Sequence, residues 1–319
     1  MSKGPLVSVF MPAYNQEDYI GEAIESVLGQ TYENLQLVIG DDSSTDGTWE
    51  IIESYRRLHP TRIEAFRNTA NLGITGNCNA VLARCRGDYV VFTAGDDLYT
   101  PDKISAQLSL MEADPQMVLC YHDIEVFDSE SNRTLRHWNS GPRSKRPLTG
   151  TASFIARRLV ERGTSFMAAL SVMVRSSALP NTGYDSRIPV ASEWLMWIEV
   201  LAAAPDGATV GFVERVMARY RMHSSNITSN PLRYADDLLV TLAIVENRYP
   251  ALASSTDRGR AGLRAHIGAV QVKGGQARIG RKLLWRSLRS GWLSVDSIYW
   301  LLVGYIPFIH PWRERIRRE

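Results

Sequence analysis

The chain has 319 residues, 45% of them hydrophobic and 22% charged, which excludes a disordered or low-complexity protein and leaves room for two domains. A formal net charge of +2 carries no global nucleic-acid signature, so no nucleic-acid partner is expected. Three cysteines without Cys-x-x-Cys spacing or clustered histidine exclude a disulfide framework and a zinc site. Cys78, Cys85 and Cys120 are therefore expected to be buried thiols of a reducing compartment.

The apolar run from Leu6 to Met11 is only strand length and no charged segment precedes it, so no signal peptide is expected and the protein is read as cytoplasmic. Residues 7–11, 35–39, 63–66, 89–93 and 118–121 have the length and the β-branched or aromatic content of strands. Between them helical spacing joins Ile20, Ile24, Val27 and Leu28, then Ile51, Tyr55 and Leu58, then Ile104, Leu108 and Met111. Asn15 is read as the start signal of the first helix, and Thr100-Pro101 as the cap and first-turn proline of the third. This alternation predicts an α/β domain with a mainly parallel sheet covered on both faces. Residues 128–150 lack periodicity and read as a long loop. A helix over 152–161, a strand over 170–174, a helix over 193–204 and a strand over 209–213 follow. From about Pro231 the pattern is helical throughout, which predicts a first domain over 1–228 and a helical C-terminal region over 229–319.

Two predicted strands end in paired acids, the second in Asp41-Asp42 and the fourth in Asp96-Asp97, while the first ends in Met11-Pro12-Ala13-Tyr14-Asn15. A parallel sheet brings its C-terminal strand ends to one edge, so an acidic crevice with an aromatic ring beside it is expected there. Adjacent carboxylates repel. A hard divalent ion such as Mg²⁺ or Mn²⁺, shared between a carboxylate and substrate phosphates, would relieve that repulsion. For Asp41-Asp42 the alternative is a turn and capping cluster, and for Asp96-Asp97 taken alone it is a solvated loop before a helix.

These segments, with Ser26-Val27-Leu28-Gly29-Gln30-Thr31-Tyr32, Asp41-Asp42-Ser43-Ser44-Thr45-Asp46-Gly47-Thr48 and Asn71-Leu72-Gly73, resemble the family 2 glycosyltransferases of the GT-A fold over about residues 5–110. The resemblance is to the kind that assembles bacterial surface polysaccharide. It implies an inverting enzyme that moves a sugar from a nucleotide diphosphate donor, most commonly a UDP-sugar, to a hydroxyl of a glycan or lipid-linked glycan. It implies Mg²⁺ or Mn²⁺ as cofactor. Onto this chain it carries donor-nucleotide contacts at Pro12, Ala13, Tyr14 (stacked on the base), Asn15, Asp42 (on the base) and Asn71. Many relatives have a further Asp where this chain has Ala94, so the resemblance gives the metal to Asp97 and the ribose or donor sugar to Asp96.

Inversion by single displacement needs a carboxylate opposite the leaving group. The matching stretch Val190-Ala191-Ser192-Glu193-Trp194-Leu195-Met196-Trp197 offers Glu193 as that base, with Asp185 as competitor. A plain first-turn acid favoured by the helix dipole is the other reading of Glu193. Arg219-Tyr220-Arg221-Met222-His223-Ser224-Ser225-Asn226 resembles the segment that closes the family's catalytic domain, with Arg221 as diphosphate clamp and His223 on phosphate or metal. His59, His122, His137, His266 and His310 have no partner pattern and read as structural. A nucleotide-sugar-binding partner of the same fold that lacks a base is an alternative. A nicotinamide-dependent oxidoreductase is another, but it would need Gly-x-Gly-x-x-Gly where this chain has Pro12-Ala13-Tyr14-Asn15.

The tail is charge-segregated. From Gln276 onward Arg278, Arg281, Lys282, Arg286, Arg289, Arg313, Arg315, Arg317 and Arg318 face only Asp296, Glu314 and Glu319, and Trp285, Trp292, Trp300 and Trp312 are half the tryptophans. The apolar stretch 292–312 is broken by Asp296 and Pro307 and makes a poor spanning segment. Basic flanks with tryptophan at the edges predict instead that 276–319 lies in the interface of an anionic membrane, at its inner face. Packing against the first domain or against a second subunit of a homo-oligomer is the alternative.

Overall fold

A computed structural model describes residues 4–141, 144–224, 226 and 231–306. The chain divides into two compact units, Met1–Ala156 with Thr164–Asn226, and Arg157–Gly163 with Ile227–Glu319. The expected boundary at 228/229 falls among residues outside the described set.

The first unit is built on β1 (Val7–Ala13), α1 (Ile20–Leu28), β2 (Leu35–Asp41), α2 (Thr48–Leu58), β3 (Ile63–Arg67), α3 (Gly73–Leu82) and β4 (Tyr89–Phe92). β5 (Leu98–Tyr99), α4 (Lys103–Ala113), β6 (Met117–Asp128), β7 (Thr134–His137), β8 (Gly150–Thr151) and the start of α5 (Ala152–Arg162), whose residues from Arg157 belong to the second unit, come next, then β9 (Met173–Arg175), α6 (Ser192–Ala202) and β10 (Thr209–Met222). The strands run in the order β3-β2-β1-β4-β9-β6-β10-β5. β2 is buried at every position because helices cover both faces, so its side chains need no polar alternation. α1 contributes Ile20, Ala23, Ile24 and Val27 to the same core.

Strand direction places the site. β1 is parallel to β2 and β4, β9 is antiparallel to both β4 and β6, and β6 is parallel to β10. β1 to β4, β6 and β10 therefore all end at one edge. β5 runs back along β10, pairing Leu98 with Arg219 and Tyr99 with Ala218, so Asp96-Asp97 in the β4–β5 turn comes alongside the last residues of β10.

Several expectations change in detail. The predicted strands at 118–121 and 209–213 are the beginnings of the 12-residue β6 and the 14-residue β10. The 128–150 loop contains β7, which pairs with β6, and leads into β8, which pairs with β10. Within 170–174, residues 169–171 form a helical turn and β9 begins only at Met173. Asn15 does not start α1. Its φ is +50°, five residues before the helix, and its side chain serves another loop. Thr100 does not cap α4 either, since its N–H and hydroxyl both donate to the Met217 carbonyl and Asp102 holds the cap position. Cys78 and Cys120 are buried, Cys85 is partly buried, and all three are free thiols.

The second unit holds α7 (Ala235–Arg248), α8 (Ala253–Lys273), α9 (Ala277–Arg289) and α10 (Val295–Tyr305), with a small core of Val272, Leu284, Leu301 and Val303. α8 and α9 approach backbone to backbone: a Cβ on Gly280 would sit 2.5 Å from the Gly268 carbonyl oxygen, so only glycine fits. Among the described residues no helix is long and apolar enough to cross a membrane. His310 and the basic residues 313–318 lie outside the described residues.

Candidate active site

The loops after β1 and β2 are laced together. The Asn15 N–H donates to Ser44 Oγ at 2.9 Å, and the Thr45 N–H returns to Asn15 Oδ1 at 2.9 Å. The Gln16 N–H meets Thr48 Oγ1 at 2.7 Å, and the Gly47 N–H meets Glu17 Oε2 at 2.6 Å. Asn15 and Ser43 both take left-handed φ, +50° and +61°, a cost that this mutual bonding offsets. Pro12 and Ala13 finish β1 beneath the lacing, and Tyr14 leaves it 46% exposed. A large ring held half-open beside buried acids suits stacking on a planar ligand.

The two acids of the β2 pair differ. Asp41 is fully buried and accepts from the Ser44 N–H and hydroxyl, with Arg67 Nε 3.2 Å away. Burial raises its pKa, against the pull of Ser44 and Arg67. It holds the loop, as the turn-cluster alternative expected. Asp42 accepts from Asn68 Nδ2 at 2.9 Å and from the Leu72 N–H at 2.8 Å, which ties β2 to the segment containing Asn71. Asn71 is exposed and its Oδ1 accepts the Gly73 N–H at 3.0 Å at the start of α3.

The two acids after β4 also differ. Asp97 is 5% exposed, and its Oδ1 accepts the backbone N–H of Arg221 at 3.0 Å. Burial and then the neighbouring Asp96 charge drive its pKa well up, while the Arg221 N–H and guanidinium act the other way. It is Asp96 that meets the histidine: Oδ2 lies 2.9 Å from His223 Nε2. His223, expected to share a metal with Asp97, thus lies beside Asp96, while the β5–β10 pairing turns Asp97 into the sheet. A Cβ on Gly95 would lie 2.4 Å from Gln16 Oε1, so a larger residue there would push the Gln16 side chain aside.

Arg221, expected to reach a diphosphate, is 6% exposed. Its Nε donates to the Asp96 carbonyl at 2.9 Å, its guanidinium pairs with Glu22 on α1, and it lies 5.0 Å over the Tyr19 ring. Tyr19 also stacks on His223 with ring centroids 4.7 Å apart. The Asn226 side chain receives the His223 N–H and donates to the Arg221 carbonyl. Arg221, Tyr19, Glu22 and Asn226 together fix the Asp96–His223 pair.

Glu193 stands in the first turn of α6. Its approach is set by α3: the Thr75 hydroxyl donates to the Ile188 carbonyl and lies 2.8 Å from the Ser192 hydroxyl, and the Thr75 N–H reaches the Pro189 carbonyl. Glu193 and Asp42 both act on the same buried thiol, Cys78 of α3, whose pKa burial raises first and these two carboxylates raise further. One helix therefore joins the expected base to the expected base-contacting acid. Asp185, the competing base, is held by Arg187 through two hydrogen bonds of 2.6 and 2.9 Å. The sequence reading missed Glu22, Tyr19, Asn68, Asn77 and Thr75. Asn77 bridges Asn68 and the Gly40 carbonyl, and the one clue was the density of small polar residues in 73–79.

The model of the family described as "Glycosyl transferase family 2" matches residues 8–178. EpsE of Bacillus subtilis (strain 168) is 32% identical over 205 residues, 62% of this chain and 69% of that protein. The UDP-Glc:alpha-D-GlcNAc-diphosphoundecaprenol beta-1,3-glucosyltransferase WfaP of Escherichia coli is 27% identical over 231 residues, 72% of this chain and 82% of WfaP. Among solved structures, S. aureus TarS 1-349 in complex with UDP-GlcNAc has a TM-score of 0.64 at 16% identity, covering 89% of this chain and 81% of that one. The mannosyltransferase PcManGT from Pyrobaculum calidifontis in complex with GDP-Man and Mn²⁺ has a TM-score of 0.59 at 16% identity, covering 97% and 82%. These likenesses show the fold, which is the GT-A fold the sequence resemblance implied. With more than half of the chain matched by its model, this protein belongs to glycosyltransferase family 2 and is a glycosyltransferase.

Proposed function

We propose that the first unit moves a hexosyl or N-acetylhexosaminyl group, with inversion, from a nucleoside diphosphate sugar to a hydroxyl of a glycan or lipid-linked glycan in surface-polysaccharide synthesis. The observation that carries this reading is the Asp96–His223 pair at the sheet edge where Tyr14 and Asp42 also emerge. UDP is the favoured nucleotide, since WfaP is named for UDP-Glc and the TarS structure holds UDP-GlcNAc.

In this reading Tyr14 stacks on the base, Asp42 contacts its edge, and Pro12, Ala13, Asn15 and Asn71 wall the nucleotide pocket. Among the described residues no three His, Cys, Asp or Glu side chains are grouped to hold a metal. The oxygen and nitrogen donors of Asp96 and His223 fit Mg²⁺ or Mn²⁺, whose remaining ligands are commonly phosphate oxygens and water. When bound, the cation neutralises charge on the departing diphosphate as a Lewis acid. Arg221 acts through Asp96, holding its backbone. Glu193 accepts the acceptor hydroxyl proton as that oxygen bonds to the anomeric carbon and the bond to the diphosphate breaks.

The test is a thermal-shift screen of UDP-Glc, UDP-GlcNAc and GDP-Man with and without Mn²⁺, followed by donor hydrolysis. A ligand that binds only the folded state raises its melting temperature, so a UDP-sugar should do so, more with Mn²⁺ than without. A protein that answers to no nucleotide sugar would sink the proposal.

A further inference from the structure

In the second unit α9 carries Arg278, Arg281, Lys282, Arg286 and Arg289, and from Ala277 to Ile306 only Asp296 opposes them. Lys282, Trp285, Arg286 and Arg289 fall three and four residues apart, hence on one helix face, and line an open surface depression. That basic face continues into the end of α10. The Trp285 indole N–H donates to the Tyr305 hydroxyl at 3.2 Å, and Arg281 lies 4.6 Å over the Tyr305 ring while bonding the Gly304 carbonyl. On α10 the spacing of Ile298, Leu302 and Tyr305 makes a stripe whose members are 44%, 48% and 57% exposed, while Leu301 and Val303 face the core of the unit. Among the described residues, this 11-residue helix is thus apolar on a side that nothing in its own unit covers.

We infer that the α9–α10 face docks on an anionic lipid bilayer, with the lysine and arginines of α9 at the lipid phosphates, Trp285 and Tyr305 at headgroup depth, and the Ile298–Leu302 stripe in the acyl boundary. Cations, amphipathic rings and aliphatic side chains side by side match the layers of a membrane interface. A second copy packed face to face would set the same cations against each other. α10 spans about 16 Å at 1.5 Å per residue, about half of a hydrocarbon core, so the contact lies in the interface and does not cross it. The inference stands apart from the donor chemistry proposed above, and it would put a catalytic unit where a lipid-linked acceptor is found.

The experiment is co-sedimentation of the full-length protein with vesicles of phosphatidylcholine alone, or with about 30% phosphatidylglycerol, at about 50 mM and about 500 mM salt. Binding should require phosphatidylglycerol and fall with salt. Arg286→Glu with Arg289→Glu, and separately Ile298→Ser with Leu302→Ser, should each weaken it about tenfold or more. These four side chains are exposed, so circular dichroism and the UDP-sugar thermal shift should match wild type, which separates failure here from failure of the donor proposal. Wild-type protein left in the supernatant, equal binding to neutral vesicles, or variants that bind like wild type would each overturn the inference. So would a response to inorganic phosphate without vesicle binding, or a dimer that the same variants split without vesicle binding.

Discussion

His223 Nε2 lies 2.9 Å from Asp96 Oδ2, across 127 residues of sequence, while the adjacent Asp97 turns its carboxylate to the Arg221 N–H. One acid of the pair faces the site and the other faces the sheet. Burial agrees: Asp96 is partly exposed and Asp97 is buried.

The pair should therefore separate on mutation. Asp96→Asn and His223→Ala should each lower Mn²⁺-dependent donor turnover by on the order of a hundredfold while the melting temperature changes little. Asp97→Asn keeps an acceptor for the Arg221 N–H, so it should retain most of the Mn²⁺ response. Rates measured across a Mn²⁺ titration decide it, and a larger loss for Asp97→Asn would return the metal to that residue.

Asp96-Asp97, Asp42 and Tyr14 were legible in the sequence because strand periodicity put them at strand ends, and a parallel sheet aligns strand ends. Which acid of the Asp96-Asp97 pair meets His223 was not legible. That depends on β5 running back along β10, and β5 is two residues long, too short to leave a pattern. α3 was missed for a related reason: Thr75, Asn77 and Asn79 pack through hydrogen bonds to Ile188, Gly40 and Tyr184, so the helix shows a weak apolar stripe. Glu22 is one more acid on an amphipathic helix until the fold brings Arg221 to it.

Glu193→Gln should lower transfer by about a hundredfold to ten-thousandfold, the range for losing a general base, while the UDP-sugar thermal shift survives. Near-normal initial rates would exclude Glu193 as base.

Thr75→Val tests whether α3 sets the position of Glu193. It leaves the buried Ile188 carbonyl and Ser192 hydroxyl short of a partner, a cost of about 1–3 kcal/mol in stability. Turnover should fall at saturating donor, with the donor KM nearly unchanged, because the nucleotide contacts lie elsewhere. A change confined to KM would place Thr75 in donor binding.

Asp42 has two roles that can be pulled apart. Asp42→Asn keeps an acceptor for Asn68 and the Leu72 N–H, so melting should stay within a few degrees of wild type, while UDP affinity falls about tenfold, or about 1.4 kcal/mol. Calorimetric titration with UDP measures it, and undiminished affinity would confine Asp42 to a structural role.

Lys103 provides a pH-dependent prediction. Its side chain is fully buried, Nζ bonds Gln107 Oε1 at 2.8 Å and lies 4.1 Å over the Tyr99 ring, and burial pushes its pKa down to about 7, with Cys120 acting slightly the other way. An unfolded lysine titrates near 10.4, so between about pH 7 and about pH 10 the unfolded chain holds the extra proton and stability contributed at this site rises with pH. Below about pH 7 both states are protonated and the burial penalty is constant. Lys103→Met removes the group from that balance. Urea unfolding of both proteins should show the variant gaining most on wild type near pH 7 and less near pH 9.5. An equal difference at the two pH values would mean that the ammonium stays charged in the folded protein, held over Tyr99 by the ring's negative face.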